Sequence, residues 1–366
     1  MNLAKAVALA VAAAMCLAAL AACSGSAQPA ATTAAPAPTQ APTAAPETTP
    51  APAQAQAPTE AATSAPEASA APETAAPAGQ TYKIGVLQLV QHAALDASNQ
   101  GFVDALDDAG IDYEIDQQNA AGEQSTCQTI ASAFVNDKKD LVLAIATPAA
   151  QAMAAATEEI PILITAVTDP QSAGLADTNE APGFNVSGTS DLTPVKEQIE
   201  LLQRILPEAK RVGILYNSGE ANSVFQADMA KAACADAGLE AIDFTVSSSN
   251  EIQTVVESMV GKIDVIYAPT DNLIASAMAT VSMVATDNKI PIIAGEDGMV
   301  QAGGLATYGI DYYQLGYRTG LMAIKVLTEG ADPATMPIEY LSADQCELTV
   351  NEGIAAELGI DVSGLK

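Results

Sequence analysis

Two kinds of apolar pattern divide this chain. Residues 6–20 form one unbroken apolar run, rich in Ala, Val and Leu. From residue 81 onward, short apolar runs instead alternate with longer segments that mix apolar and polar residues, beginning with residues 83–87. Apolar runs without polar alternation are typical of strands buried on both faces. We therefore predict parallel strands covered by helices, an α/β fold.

The second half of this region repeats the first. Gly85 and Gly110 have counterparts in Gly213 and Gly238 at one offset, since 213 − 85 and 238 − 110 both equal 128. Two further apolar strands repeat as pairs: 140–143 with 264–267, and 160–163 with 290–293. The glycines suit the positive φ of a helix C-cap. Two tandem units of strand, helix, strand, helix, strand predict two lobes with a cleft between them.

The N-terminal apolar run has the features of an export signal. Lys5 is its only positive charge, and the run is short for a membrane-spanning helix. It closes on Leu20-Ala21-Ala22-Cys23, which has the form of a bacterial lipobox. We predict a signal peptide over 1–22 and lipidation of Cys23; the alternative is an ordinary signal or anchor with an incidental cysteine.

The segment after Cys23 has a different composition. Residues 24–80 contain no Lys or Arg, and consist mainly of Ala, Pro, Thr, Ser and Gln. Such a sequence cannot bury enough apolar area to offset its conformational entropy. We therefore predict a disordered spacer over 23–80 that links the lipid anchor to the fold.

Charge and cysteine content exclude several classes. With 44 acidic and 14 basic residues, the net charge of −30 argues against binding nucleic acid or an anionic membrane surface. Beyond Cys16 and Cys23, the chain has only Cys127, Cys234 and Cys346, so at most one disulfide can form. Neither a CxxC motif nor a second histidine suggests a metal site, and we expect no metal or cofactor.

Enzyme motifs are absent as well. The chain contains no GxSxG, P-loop, GxGxxG or HExxH sequence. An α/β hydrolase or deaminase built on other residues stays open as an alternative.

Small polar residues gather at the predicted carboxyl ends of the strands, where open parallel sheets bind ligands. They occupy six segments: 88–92, 147–149, 168–170, 217–223, 270–272 and 296–297. Several of them open a helix, whose free N–H groups bind carboxylates. The structural alternative is that they only cap helices.

These segments resemble a known family. The chain looks like the extracytoplasmic solute-binding proteins of ABC transporters, in the TrpX/TrpY-like group. The segments that carry this resemblance are 88–96, 144–152, 166–175, 187–191, 216–223 and 269–272. The resemblance spans residues 82–340. It implies a type I periplasmic-binding fold, with two Rossmann-like lobes joined by three crossings, and import of aromatic amino acids. One departure is Ala93, where the family usually has proline.

The resemblance also implies domain boundaries. The first lobe is expected over 81–191 plus 307–329, and the second over 192–306 plus 330–366. The crossings are expected near 191–194, 304–311 and Pro337.

An amino-acid ligand presents a carboxylate, an ammonium group and a side chain. For the carboxylate we favour Thr147 and the backbone of Ala149, with Ser190 or Ser223. For the ammonium group, Asp271 and Glu220 rank above Asp169, and His92 is either a ligand contact or a turn residue. Tyr308 and Tyr312 could wall the side chain or simply pack. The full predicted set is Gln88, His92, Leu95, Thr147, Ala149, Asp169, Ser190, Asn217, Glu220, Asn222, Ser223, Asp271, Asn272 and Glu296.

The predicted function is a lipid-anchored, extracytoplasmic solute-binding protein. It would capture an amino acid, with Trp, Tyr or Phe favoured, and deliver it to an ABC permease driven by a separate ATPase. Two alternatives on the same fold are a sugar, nucleoside or other small solute as ligand, and a receptor that feeds a membrane sensor. The absence of Trp and the presence of only five Phe disfavour the stacking that sugar sites use.

Overall fold

The computed structural model describes residues 80–341 and 345–365. The predicted signal peptide, the lipidation site Cys23 and all but the last residue of the predicted spacer lie outside these residues. None of the described helices is both long enough and apolar enough to cross a membrane.

The first part of the fold alternates strands and helices. Its elements are β1 (Tyr82–Gln88), α1 (Ala93–Asp108), β2 (Tyr113–Asn119), α2 (Gln124–Asn136), β3 (Leu141–Ile145), α3 (Thr147–Ala156), β4 (Ile162–Val167) and β5 (Val186–Ser190). Every residue of β3, β4 and β5 is buried. This full burial explains why their sequences are apolar or small without alternation.

The second part repeats the plan. Its elements are α4 (Val195–Ile205), β6 (Arg211–Asn217), α5 (Ala221–Asp236), β7 (Glu240–Val246), α6 (Ser249–Met259), β8 (Val265–Ala268), α7 (Asn272–Ser276), α8 (Met278–Asp287), β9 (Ile292–Ala294), α9 (Asp297–Gln301) and β10 (Ala306–Gly309). The chain ends with α10 (Tyr312–Ile324), which continues as a π-helix (Lys325–Glu329), then β11 (Glu339–Tyr340), β12 (Glu347–Val350) and α11 (Glu352–Leu358).

The strands form two six-stranded sheets. The first has the order β11-β5-β4-β3-β1-β2 and the second β12-β10-β9-β8-β6-β7. Every pair is parallel except β10 with β12. The predicted α/β fold with two Rossmann-like lobes is therefore confirmed.

The repeated glycines have a physical explanation. A Cβ atom at Gly85 would lie 2.7 Å from the Phe134 ring, and one at Gly213 would lie 2.7 Å from Met259 Cε. Each glycine thus lets the helix after the next strand pack directly on the sheet. Gly110 and Gly238 follow α1 and α5 with φ of 64° and 71°, the left-handed conformation expected after a helix.

Two of the expected boundaries differ from the strand pairing. Residues 307–309, expected in the first lobe, belong to β10, which pairs with β9 and β12 in the second sheet. Glu339 and Tyr340, expected in the second lobe, form β11 beside β5 of the first sheet. The third crossing therefore follows Tyr340 instead of lying near Pro337, because this short strand covers the otherwise open edge of β5.

Helix α10 returns to the first lobe, as expected. Its Gly316 and Gly320 face α1 so closely that a Cβ atom would lie 1.8 Å from the Ser98 carbonyl oxygen and 2.5 Å from Ala105 Cβ, respectively. These glycines let the two helix backbones touch.

Two cysteines of the fold are buried in its helices, Cys127 in α2 and Cys234 in α5. Burial raises the pKa of the Cys127 and Cys234 thiols to about 11, so both behave as small apolar side chains.

Candidate ligand-binding cleft

A cleft lies where the carboxyl ends of the two sheets face each other. Its lining comes from both lobes: His92, Leu95, Ala166, Thr168, Asp191, Asn222, Thr270, Asp271, Asn272, Ala275, Glu296 and Tyr312. These residues lie at strand ends or in the helices that follow. Only about 10 Å³ between these walls admits the centre of a water molecule. The cleft is therefore nearly shut.

Hydrogen bonds join the two lobes across this cleft. His92 Nε2, at the start of α1, lies 3.4 Å from Asn272 Oδ1 at the start of α7. Gln226 Nε2 in α5 donates to Thr168 Oγ1, beyond β4, at 3.3 Å. Both contacts require the lobes to be together, so the structure is a closed state.

Six of the fourteen predicted site residues line the cavity: His92, Leu95, Asn222, Asp271, Asn272 and Glu296. The other eight are not among the lining residues: Gln88, Thr147, Ala149, Asp169, Ser190, Asn217, Glu220 and Ser223. Tyr312 also lines the cavity, whereas Tyr308 accepts a hydrogen bond from Arg204 on the exposed side of the second lobe.

Several of the surrounding residues shape the loops. Gln88 Nε2 donates to Asp96 Oδ1 at 2.7 Å and to the Val90 carbonyl at 2.9 Å, which fixes the turn that leads to His92. Ser190 Oγ donates to the Thr168 carbonyl at 2.6 Å. Asp169 Oδ1 accepts the backbone N–H of Ser172 at 2.6 Å, so this carboxylate closes its own turn.

The start of α3 is unusual in two ways. Ala146, just before the helix, has φ of 81° and ψ of 153°, a conformation that normally requires glycine. Thr147 is buried, and its Oγ1 has no hydrogen-bond partner. The helix therefore presents a free hydroxyl group beside the unpaired backbone N–H groups of its first turn.

The buried carboxylates around the cleft differ in how their oxygens are bonded. Asp271 caps α7, accepting from Ile274 N at 2.8 Å and from Asn217 N at 2.6 Å. Glu296 caps α9 through the backbone N–H groups of Gly298 and Met299. Both side chains are thus fully engaged in holding the second lobe.

Glu220 is engaged as well, but by side chains. Its Oε1 accepts from Asn217 Nδ2 at 3.0 Å, and its Oε2 accepts from Asn272 Nδ2 at 2.5 Å and Asn222 Nδ2 at 3.4 Å. Asn222 Nδ2 also lies 3.2 Å from Ser223 Oγ.

Asp191 differs from these three carboxylates. Only 4% of it is exposed, and its Oδ2 accepts from the Tyr312 hydroxyl at 2.8 Å. Its Oδ1 is buried without a partner, and the residue lines the cavity. Sequence reasoning placed Asp191 only at the first crossing; its position directly after β5 was the signal that could have marked it as a site residue.

Burial sets the electrostatics of the cleft. It raises the pKa of Glu220 to about 7, with a contribution from the neighbouring Asp271 carboxylate, and raises the pKa of Glu296 to about 7. It also raises the pKa of Asp191 and Asp271, and lowers the pKa of His92. The lining contains no Lys or Arg. A positively charged ligand group would relieve this arrangement.

The arrangement offers no evident metal centre. Within residues 80–341 and 345–365, no cluster of three or more His, Cys, Asp or Glu side chains could hold a metal ion. What the cleft combines is two sheets, chain crossings between them, and a buried polar cavity lined by both lobes. This arrangement is typical of proteins that close two lobes on a small molecule.

Comparison with known proteins identifies the family. Residues 83–364 match the family model for ABC transporter substrate binding proteins, and the chain belongs to this family. The chain is 48% identical over 273 residues to a tyrosine-binding protein of Clostridioides difficile, covering 74% of this chain and 78% of the relative. Members of this family bind small ligands outside the cytoplasm and work with an ABC permease.

Two solved structures bear on the closed state. A domain from Streptococcus pneumoniae in complex with L-Trp is 41% identical, with a TM-score of 0.75, covering 77% of this chain and 96% of that one. A ligand-free, open substrate-binding protein with adhesive properties from Clostridium difficile is 49% identical, yet its TM-score is 0.59, with 76% and 95% covered. The present structure is thus more similar to the ligand-bound relative than to the open one, in agreement with its cross-lobe contacts.

Proposed function

We propose that this protein captures an aromatic amino acid in the cleft between its lobes and delivers it to an ABC permease. The observation that carries the proposal is the unpartnered, buried Oδ1 of Asp191 on the cavity wall. An ammonium group placed there would satisfy this oxygen and offset the cost of burying the carboxylate. The names of the related tyrosine-binding protein and of the L-Trp complex support the aromatic class.

This assignment changes the order among the acidic candidates. Asp271 and Glu220 ranked first from sequence, but backbone N–H groups and asparagine amides already occupy their oxygens. Asp191 is the carboxylate on the cavity wall with an oxygen still to satisfy. The ligand's carboxylate stays assigned to Thr147 and the backbone of Ala149; neither residue lines the closed cavity, but the Thr147 hydroxyl is buried without a partner.

Binding requires the lobes to part. To hold a single water molecule, a cavity needs about 10–15 Å³ that admits the centre of that molecule, and this cleft offers about 10 Å³. An aromatic amino acid is far larger, so it would enter an open form and be enclosed as the lobes rotate about the crossings. We further propose that Cys23 is lipidated and that residues 24–80 tether the fold to the membrane near its permease.

A thermal-shift panel tests the proposal. The purified protein, unfolded and refolded to remove carried-over ligand, would be melted with amino acids, sugars and nucleosides. A ligand at a thousand times its Kd adds about 4 kcal/mol of stability, which moves the midpoint by several degrees. We expect Trp, Tyr or Phe to give the shift. A response to a sugar or nucleoside alone would refute the aromatic assignment while leaving the family unchanged.

Fluorescence then gives the affinity directly. The chain contains no Trp, so the emission of bound L-Trp can be followed without protein tryptophan in the background.

A further inference from the structure

We propose that Asn222 Oδ1 recognises a hydrogen-bond donor on the ligand's aromatic ring, the phenol O–H of tyrosine or the indole N–H of tryptophan, and that Glu220 positions it. The inference rests on the proposed function, because it concerns the same ligand. It names the side chains that would separate tyrosine and tryptophan from phenylalanine.

Three asparagines surround the Glu220 carboxylate. Asn217 ends β6, Asn222 lies in the first turn of α5, and Asn272 opens α7. Each points its Nδ2 at the Glu220 carboxylate, at 3.0, 3.4 and 2.5 Å respectively. The ionised form of Glu220, which prevails above its pKa of about 7, only accepts hydrogen bonds. Each amide is therefore held with its NH₂ group toward Glu220 and its Oδ1 facing away.

The three Oδ1 atoms have different surroundings. Asn217 Oδ1 accepts the backbone N–H of Gly219 at 2.9 Å, inside its own turn. Asn272 Oδ1 lies 3.4 Å from His92 Nε2, which can donate to it. Asn222 Oδ1 is buried without any partner, on a residue that is 5% exposed and lines the cavity.

Further contacts keep the Asn222 amide in this orientation. Its Nδ2 also lies 3.2 Å from Ser223 Oγ and 3.3 Å from the Thr270 carbonyl. Rotating the amide by half a turn would place Oδ1 against the Glu220 carboxylate and the Thr270 carbonyl oxygen, which are both acceptors. The cavity therefore meets a fixed acceptor at this point.

Three buried atoms on the cavity lining lack a partner: His92 Nδ1 and Asp191 Oδ1 in the first lobe, and Asn222 Oδ1 in the second. Asp191 follows β5 of the first sheet, and Asn222 lies in the first turn of α5 in the second lobe. The lining also supplies the apolar side chains of Leu95, Ala166 and Ala275. This layout suits a ligand with an ammonium group at one end, an apolar ring in the middle and one N–H or O–H at the other end.

Phenylalanine cannot satisfy Asn222. A site built to accept a hydrogen bond discriminates against the analogue that lacks the donor, because the buried acceptor stays unpaired. We therefore expect L-Tyr or L-Trp to bind about 10- to 100-fold more tightly than L-Phe.

The test compares ratios of dissociation constants. Kd values for L-Tyr, L-Trp and L-Phe would be measured by calorimetry on the wild-type protein and on Asn222→Leu, which keeps the bulk and removes the acceptor. We expect the preference over L-Phe to fall to within about threefold, while the affinity for L-Phe itself changes little. Unchanged L-Phe binding also shows that the variant is folded.

Two further variants separate positioning from general damage. In Glu220→Gln the new amide must donate to a neighbouring Oδ1, which releases the fixed orientation, so the preference over L-Phe should shrink. Asn217→Ala loses one amide from the same cluster, but its Oδ1 faces a turn and not the cavity. It should keep the wild-type preference even where its melting midpoint falls.

The contrary outcomes are distinct. If Asn222→Leu weakens all three ligands by the same factor, or changes none of them, Asn222 does not read the ring and the inference is overturned while the proposed function stands. If the wild-type protein binds none of the three, the proposed function fails and this inference fails with it.

Discussion

Replacing Asp191 by asparagine tests the central feature of the cleft. Asp191→Asn removes the negative charge but keeps an oxygen that can accept from the Tyr312 hydroxyl. In the wild-type protein, this hydroxyl lies 2.8 Å from Asp191 Oδ2. The cavity wall keeps its shape. Any loss of affinity then reports the charge and not a collapse of the site.

The expected magnitude follows from burial. Asp191 is 4% exposed, so an ammonium group bonded to it is shielded from water. Removing one partner of a buried charged hydrogen bond costs about 2–5 kcal/mol. We expect the Kd for the amino acid to rise by roughly 30-fold or more, since each 1.4 kcal/mol is tenfold.

Although Asp191→Asn should weaken ligand binding, it should stabilise the ligand-free protein. Burial raises the pKa of Asp191, so ionising this carboxyl at neutral pH costs more in the folded state than in the unfolded state. The stabilising contribution is present below the unfolded pKa and is lost as pH rises through the folded pKa. Asp191→Asn should therefore melt at a higher temperature than wild type at pH 7, with a smaller difference in acid.

Asp169→Asn is the matched control. Asp169 also follows a strand end, but it accepts the Ser172 N–H within a turn and does not line the cavity. Fluorescence titration with L-Trp and thermal melts would be run on both variants. An Asp191→Asn protein that binds within threefold of wild type, or an Asp169→Asn protein with an equal loss, would refute the assignment of the ammonium group.

Three further predictions concern stability and closure. Burial raises the pKa of Glu296 to about 7, against 4.5 as its ordinary value. This group should therefore make the ligand-free protein up to about 3 kcal/mol more stable at pH 5 than at pH 8. In urea unfolding, Glu296→Gln should flatten that part of the pH profile, and an unchanged profile would contradict the prediction. Ala146→Gly should raise the free energy of unfolding by about 1 kcal/mol, because φ of 81° strains alanine. Ala149→Gly, inside α3, should lower the free energy of unfolding by a similar amount. Equal changes in the two variants would exclude strain at Ala146. Thr168→Val removes the acceptor of the cross-lobe bond from Gln226 and so weakens the closed state; small-angle X-ray scattering with ligand should show a larger radius of gyration than for the wild-type complex, and identical curves would argue against this latch.

Much of the fold could be predicted because its signals are local and repeated. The matching glycines at 85 and 213 have a packing cause that applies equally in both lobes, so they gave the repeat and its register. The boundary at β11 could not be predicted in the same way. Glu339 and Tyr340 carry no periodicity of their own, and they form a strand only because β5 leaves an edge beside them.

The cleft was harder to predict for a different reason. Sequence shows which polar residues stand at strand ends, and six of the fourteen predicted residues do line the cavity. It does not show which of their atoms are already bonded. Asp271 and Asp191 both follow buried strands, but only the first meets two backbone N–H groups.

The difference between a satisfied and an unsatisfied oxygen decides the chemistry of this site. Of the buried carboxylates at the cleft, Glu220, Asp271 and Glu296 accept enough hydrogen bonds to act as parts of the scaffold. An oxygen without a partner costs free energy in the closed state, so closure without ligand is disfavoured at Asp191 and Asn222. A ligand that donates hydrogen bonds to both removes that cost only when the lobes come together. The same two atoms can therefore account for selectivity and for the coupling of binding to closure.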